Sequence, residues 1–171
     1  MKGYVQVYTG MGKGKTTAAI GLAIRAAGAG LKVYIGQFIK DAPYSELAIL
    51  KMLAGYITIR QYGRGCFLIK SPEQEDVEAA RQGLIELTAA LTSGEYDVVI
   101  ADEINVAHDL KLLSEDDLLQ LISIRPEQVE LVMTGINAPA GVLEKADLVT
   151  EMKEVKHYFR HGVLARKGFE S

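Results

Sequence analysis

Residues 5–17, VQVYTGMGKGKTT, join a short apolar strand to a helix through three glycines, Gly10, Gly12 and Gly14. Such a stretch commits the chain to a β-turn-α unit whose loop wraps around an anion. Glycines let successive backbone N–H groups curl inward, and the helix N-terminus adds partial positive charge. Lys15 supplies a full positive charge, and the Thr16 hydroxyl can take a Mg²⁺ coordination position. The pattern departs from the P-loop form G-x-x-x-x-G-K-[ST] at its first glycine, where Thr9 stands. A glycine-rich turn before an ordinary helix would explain the glycines but not GKT at the junction. Thr9, Gly10, Met11, Gly12, Lys13, Gly14, Lys15, Thr16 and Thr17 therefore read as a polyphosphate-binding loop.

Beyond this loop, Ala18, Ala19, Leu22, Ala23 and Ala26 recur at helical spacing up to Gly28. Leu31–Gln37 reads as a buried strand, and a polar turn at Lys40-Asp41-Ala42-Pro43 leads to a short helix over 46–54. Tyr56–Tyr62 alternates and suits a half-exposed strand near a sheet edge. Ser71-Pro72-Glu73-Gln74 has the form of a helix start, and the apolar period runs on to Leu91 before Gly94. Tyr96–Glu103 is an apolar strand ending in two carboxylates. Ser114, followed by Asp116 and Asp117, opens another helix. Val129–Thr134 is a fifth strand, Pro139 precedes a short helix, and Leu148–Met152 is a sixth strand ahead of a basic tail. Strands alternating with helices imply right-handed crossovers. The expected fold is α/β: a three-layer, RecA-like P-loop fold with a mostly parallel, about six-stranded sheet and helices on both faces. One domain over residues 1–171 is expected.

Composition narrows the function class. At 171 residues and 49% hydrophobic content the chain can bury about 70% of its unfolded surface in a single core. A net charge of −3 without a basic run disfavours a nucleic-acid partner. The single Cys66 rules out an internal disulfide and fits a reducing compartment. No apolar run approaches the ~20 residues of a membrane span, and Met1-Lys2-Gly3 leads into the first strand without a signal peptide. A cytoplasmic protein without a membrane partner is expected.

In open parallel sheets, ligands occupy the crevice beyond the strands' carboxyl ends. There the sequence puts the glycine loop, Lys40 and Asp41, Gly63–Phe67, Asp102 with Glu103 and Asn105, Thr134–Asn137, and Lys156 with His157. An apolar strand ending in Asp102-Glu103 matches the arrangement in which an acid holds nucleotide-bound Mg²⁺. Thr16, Asp102 and Glu103 are the candidate metal set, and Lys15 and Glu103 the candidate catalytic pair. Glu103 acting instead as a general base would make the protein an ATPase. Cys66 lacks an assignable histidine or acid partner and reads as an inert thiol. Three scattered histidines, His108 among them, do not make a zinc site.

Several stretches in order resemble the P-loop ATP:corrinoid adenosyltransferases: TGMGKGKTTAAIGLAIRAAG (9–28), IGQFIK (35–40), VVIADEIN (98–105), TGINAP (134–139) and ADLVTEMKEVKHYFRHGVLARKGFE (146–170). The family loop G-x-G-K-G-K-T-T accounts for Thr9 at the missing first glycine. The resemblance implies transfer of the 5′-deoxyadenosyl group from ATP to the cobalt of a reduced corrinoid, with release of triphosphate. It also implies that ATP lies reversed along the loop relative to ordinary P-loop NTPases. Co(I) is then itself the nucleophile at C5′, so no side chain need act as base. The protein's tasks are positioning and stabilising charge on the leaving triphosphate, for which Lys13, Lys15, the loop N–H groups and Mg²⁺ are suited. Phe67, Asn137 and His157 are the implied corrinoid or substrate contacts. ATP as co-substrate, Mg²⁺, a flavoprotein source of electrons and a homodimer follow from the same resemblance.

The chain departs from its relatives in places. Ile136 stands where an arginine is frequent, KDAPYSE follows where glycines often precede the glutamate, and the end GFES lacks a terminal aromatic. Many relatives carry an N-terminal extension over the site, whereas this chain begins at the first strand. From the P-loop alone, an NTPase, a small-molecule kinase or a non-catalytic nucleotide-binding module remain alternatives.

Overall fold

A computed structural model describes residues 2–64 and 72–170. Among these, six strands form one sheet in the order β3-β2-β4-β5-β1-β6, with every pair parallel. They are β1 (Val5–Thr9), β2 (Val33–Phe38), β3 (Ile57–Tyr62), β4 (Val98–Asp102), β5 (Glu130–Thr134) and β6 (Leu148–Glu151). The expected α/β architecture is present, and the sheet is wholly rather than mostly parallel. The helices are α1 (Lys15–Gly28), α2 (Ser45–Met52), α3 (Gln74–Thr92), α4 (Ile104–Asp109), α5 (Glu115–Ile124) and α6 (Ala140–Lys145). A 3-10 turn, Tyr158–His161, lies in the last segment.

Alternation along the strands divides the apolar residues between two faces. Ile35, Ile100 and Val132 join α1 and α2 through Ala19, Ala23 and Leu50. Val99, Leu131 and Met133 join α3, α5 and α6 through Leu87, Leu118, Leu121 and Val142. The small residues of α1 let that helix approach the sheet closely. Tyr56–Tyr62 was expected near an edge, and β3 lies at one edge of the sheet. β6 forms the other edge, with all four residues exposed.

Two local expectations are corrected. The helix expected from Ser71 begins at Gln74, because Glu73 accepts the Asp76 backbone N–H while Asp76 accepts that of Glu73. This reciprocal cap outcompetes the earlier start; Ser71 lies outside the described residues. The strand expected to reach Glu103 ends at Asp102, since Glu103 turns into the left-handed region at φ 61° and caps α4. That six-residue helix was not anticipated. Ser114 caps α5 as expected, its hydroxyl accepting from Asp117 N and Asp117 returning the bond.

Candidate functional site

Four strand ends meet where β1, β5, β4 and β2 lie side by side. After β1 the chain turns through Gly10 at φ 91° and Gly14 at φ 113°, conformations that a side chain would strain. Gly10 and Gly12 also pass close to the backbone after β6. A Cβ on either would come within 2.6 Å of the Met152 carbonyl oxygen, and Gly12 N donates to that oxygen at 2.6 Å. The loop is thus pinned against the sheet while Met11 points outward, 68% exposed. Thr9 Oγ1 accepts from Ala138 N at 3.4 Å, tying the loop to the segment after β5.

Lys15 opens α1 and is buried. Its ammonium folds back to donate to Gly10 O at 2.7 Å and Gly12 O at 2.9 Å. Burial pushes the Lys15 ammonium below the usual lysine range, against the pull of Glu103 and Asp102. Lys13 instead reaches the last segment, donating to Phe169 O at 2.7 Å with Glu170 at 3.4 Å.

Asp102, 1% exposed, is the centre of a hydrogen-bonded cluster. Its Oδ1 accepts from Thr16 Oγ1 at 2.9 Å and Thr134 Oγ1 at 2.7 Å. Its Oδ2 accepts from Lys40 Nζ at 2.7 Å and Gln37 Nε2 at 3.2 Å. Gln37 is held in turn by Gln61, which also donates to Ala42 O. Thr134 Oγ1 accepts the backbone N–H of Glu103 at 2.9 Å and so steadies the turn beyond Asp102. Glu103 lines the cavity beside Thr16, Lys15 and Lys40. Burial, and then the charge of Asp102, push its carboxyl above the usual carboxylate range, while Lys40 and Lys15 pull it back.

These groups border a cavity of about 660 Å³, within the size range of small-molecule sites. Among the expected site residues, Lys13, Gly14, Lys15, Thr16, Thr17, Glu103 and His157 line it. His157 is also occupied locally, its Nδ1 accepting from Phe159 N at 3.1 Å. Asp102 stands behind Thr16 and Lys40. Asn137 is exposed, at φ 52°, and lies outside the cavity lining; Phe67 and Cys66 lie outside the described residues. Ile136 packs against the core.

Oxygen donors alone make up the candidate metal set: the Thr16 hydroxyl and two carboxylates. Such hard ligands suit Mg²⁺, which commonly takes one or two carboxylates together with substrate phosphates. Among the described residues no group of three His, Cys, Asp or Glu gathers into a self-sufficient metal site. The arrangement therefore fits a cation carried by a polyphosphate.

Sequence reasoning gave no role to Gln37, Thr134 or Lys40, although it placed Lys40 and Thr134 at strand ends. Thr134 could have been found from its polar hydroxyl closing an apolar strand. Asn105, fully buried on α4, has no hydrogen-bond partner for either amide atom among the described residues.

Comparison with known proteins bears on what such a site does. Residues 1–171 match the family described as ATP:corrinoid adenosyltransferase BtuR/CobO/CobP. The chain is 35% identical over 170 residues to the corrinoid adenosyltransferase of Pseudomonas aeruginosa, covering 99% of this chain and 84% of that protein. It is 34% identical over 170 residues to the corrinoid adenosyltransferase of Escherichia coli K12, covering 99% and 86%. A similar protein in Salmonella typhimurium, corrinoid adenosyltransferase CobA, is 31% identical over 171 residues, with 99% and 86% covered. No helix among the described residues is long and apolar enough to cross a membrane.

Proposed function

The chain belongs to the ATP:corrinoid adenosyltransferase family, and from that premise we propose how its own residues divide the reaction. The activity is adenosyl transfer from ATP to a corrinoid in cobalamin biosynthesis. In that reaction the reduced cobalt of the substrate supplies an electron pair to C5′ of ATP. The C5′–O bond breaks, a cobalt–carbon bond forms, and triphosphate leaves with the electrons of the broken bond.

The phosphate end falls to the P-loop at residues 9–17. Its inward N–H groups and the Lys13 and Lys15 ammoniums bind the triphosphate and offset the charge it gains on leaving. Lys15 exchanges its bonds to Gly10 O and Gly12 O for phosphate oxygens. Thr16, Asp102 and Glu103 would hold Mg²⁺, which would supply Lewis-acid stabilisation of the leaving group. Glu103 has no proton to remove, because the nucleophile is cobalt. Phe67, Asn137 and His157 belong to the corrinoid side of the site. A homodimer, a flavoprotein electron donor and a cytoplasmic location complete this reading, supported by the resemblance to the family.

The observation that carries it is the meeting of Lys15, Thr16 and Glu103 on one cavity in a chain matched to this family over its whole length. Protein, Mg·ATP and photochemically reduced cobalamin should give the spectrum of the light-sensitive alkyl corrinoid. No such change with verified Co(I) present would overturn the proposal.

A further inference from the structure

Lys40 has no part in the division of labour just given, yet it is the side chain most tightly tied to the candidate metal set. Its ammonium donates to Asp102 Oδ2 at 2.7 Å and to Thr16 Oγ1 at 3.1 Å. Lys40 and Asp102 are both nearly excluded from solvent. Burial alone would lower the Lys40 pKa, but the charge and hydrogen bond of Asp102, with Glu103 and Glu46 adding, raise it. The ammonium therefore stays charged.

The backbone is built to deliver this side chain. Ile39, immediately before it, lies at φ 64°, a left-handed conformation rare for a β-branched residue. Two features hold that turn. Ile39 N donates to Tyr62 O at 2.9 Å. Gly63 lies so close that a Cβ there would meet Ile39 C at 2.5 Å and Lys40 N at 2.6 Å. A strained turn braced from β3 thus aims Lys40 across the end of β2 toward Asp102 on β4.

A cation coordinated by Thr16 Oγ1 and an Asp102 oxygen lies about 2.0–2.1 Å from each ligand. The Lys40 nitrogen already addresses the same two residues. An ammonium and a divalent cation cannot share that space, since like charges at such separation repel strongly. Asp102 has no spare acceptor either, with two donors on each oxygen. Of its four partners, lysine is the one on a long flexible stem with the cavity in front of it.

We propose that Lys40 and the divalent cation compete for Thr16 and Asp102, so that Mg·ATP binding drives the Lys40 ammonium off the carboxylate and onto the triphosphate. Lys40 then serves twice: it neutralises Asp102 before the metal arrives and adds a cation to the leaving group afterwards. Metal alone binds weakly, because it must evict a charge that has nowhere to go. Metal with triphosphate binds well, because the phosphates receive that charge. The inference rests on the assignment of Mg²⁺ to Thr16, Asp102 and Glu103.

Mn²⁺ binding, read by electron paramagnetic resonance with and without ATP, tests both levels. The parent protein should bind Mn²⁺ tightly only with ATP. Lys40→Met should bind Mn²⁺ without ATP about tenfold tighter or more than the parent, the scale expected when an adjacent full charge is removed. Divalent cation alone should also raise the melting temperature of Lys40→Met but not of the parent. Should the variant not fold, ¹⁵N resonances of lysine ammoniums in the parent decide. The slowly exchanging Lys40 signal should persist with Mg²⁺ alone and shift with Mg·ATP. An unchanged signal with Mg·ATP, or a folded Lys40→Met with no gain in Mn²⁺ affinity, overturns the competition and leaves the metal site standing. No Mn²⁺ bound even with ATP overturns the metal assignment and this inference with it.

Discussion

The proposed phosphate end of the site and the C-terminal segment that covers it are held by opposite means. At the first, Lys15, Lys40 and Asp102 are no more than 8% exposed. Each is fixed by several hydrogen bonds, Lys15 to carbonyls of its own loop, and Lys40 and Asp102 to each other, to Thr16 and to neighbouring strand ends. In the segment after β6, Val155 is 93% and Leu164 74% exposed. Its ion pairs, Arg160 with Glu154 and Arg166 with Glu170, lie within the segment itself. Lys13, bonded to Phe169 O and paired with Glu170, ties it back to the loop. Charge that must be stabilised at a fixed point calls for a pre-organised, dry setting. On the proposed reading this segment borders the corrinoid side, and a boundary of that kind needs weaker, local attachment. Changes at the phosphate end should therefore cost stability or chemistry heavily, and changes in the covering segment should alter binding alone.

The sharpest attempt to break this contrast is Asp102→Ala, which strands the buried Lys40 ammonium. Removing one partner of a buried pair costs about 3–5 kcal/mol, so urea unfolding should show a loss on that scale. A loss of under about 1 kcal/mol, as for an exposed pair, would erase the distinction. Next in size is Lys15→Ala. Loss of a cation aimed at the leaving group should lower kcat/KM for ATP by about 10²–10³-fold, and an unchanged rate would remove the loop from the chemistry.

Glu103→Gln sharpens the comparison through pH. Burial, and then Asp102, raise the Glu103 carboxyl pKa in the folded protein. Its contribution to stability is therefore full below the ordinary carboxylate range and lost as pH rises through the raised value. Gln keeps the neutral form at every pH. In metal-free buffer the variant should be the more stable protein at neutral pH, with the gap closing on acidification. Its activity should lose its dependence on Mg²⁺ concentration. A gap that widened toward acid pH would mean that Glu103 is stabilised as the anion. The smallest effect is expected for Glu170→Ala in the covering segment, with an unaltered melting temperature and a few-fold change at most in KM for ATP. A drop in melting temperature comparable to that of Asp102→Ala would show that the segment is as firmly built as the core.

Much of this was legible before any coordinates. The glycine-containing turn between a strand and a helix, the apolar strand leading to Asp102 and the edge position of β3 are local patterns, and each appears in the structure near where the residues indicated. The role of Lys40 was not legible, because it depends on β2 lying beside β4, and strand order is a property of the assembled sheet. The strain at Ile39 was equally hidden, since it arises from the close approach of Gly63 rather than from any turn-forming residue. Helix α4 is too short to show a period. The start of α3 was misjudged because Ser71 and Glu73 both offer caps, and only the reciprocal bonds with Asp76 decide between them.

Phosphorus NMR of the reaction products reads the central claim most directly. With Mg·ATP and Co(I) cobalamin, the protein should release intact triphosphate, and without the corrinoid ATP should remain whole. ADP and inorganic phosphate appearing without corrinoid would mean attack at the terminal phosphorus, and would contradict the account.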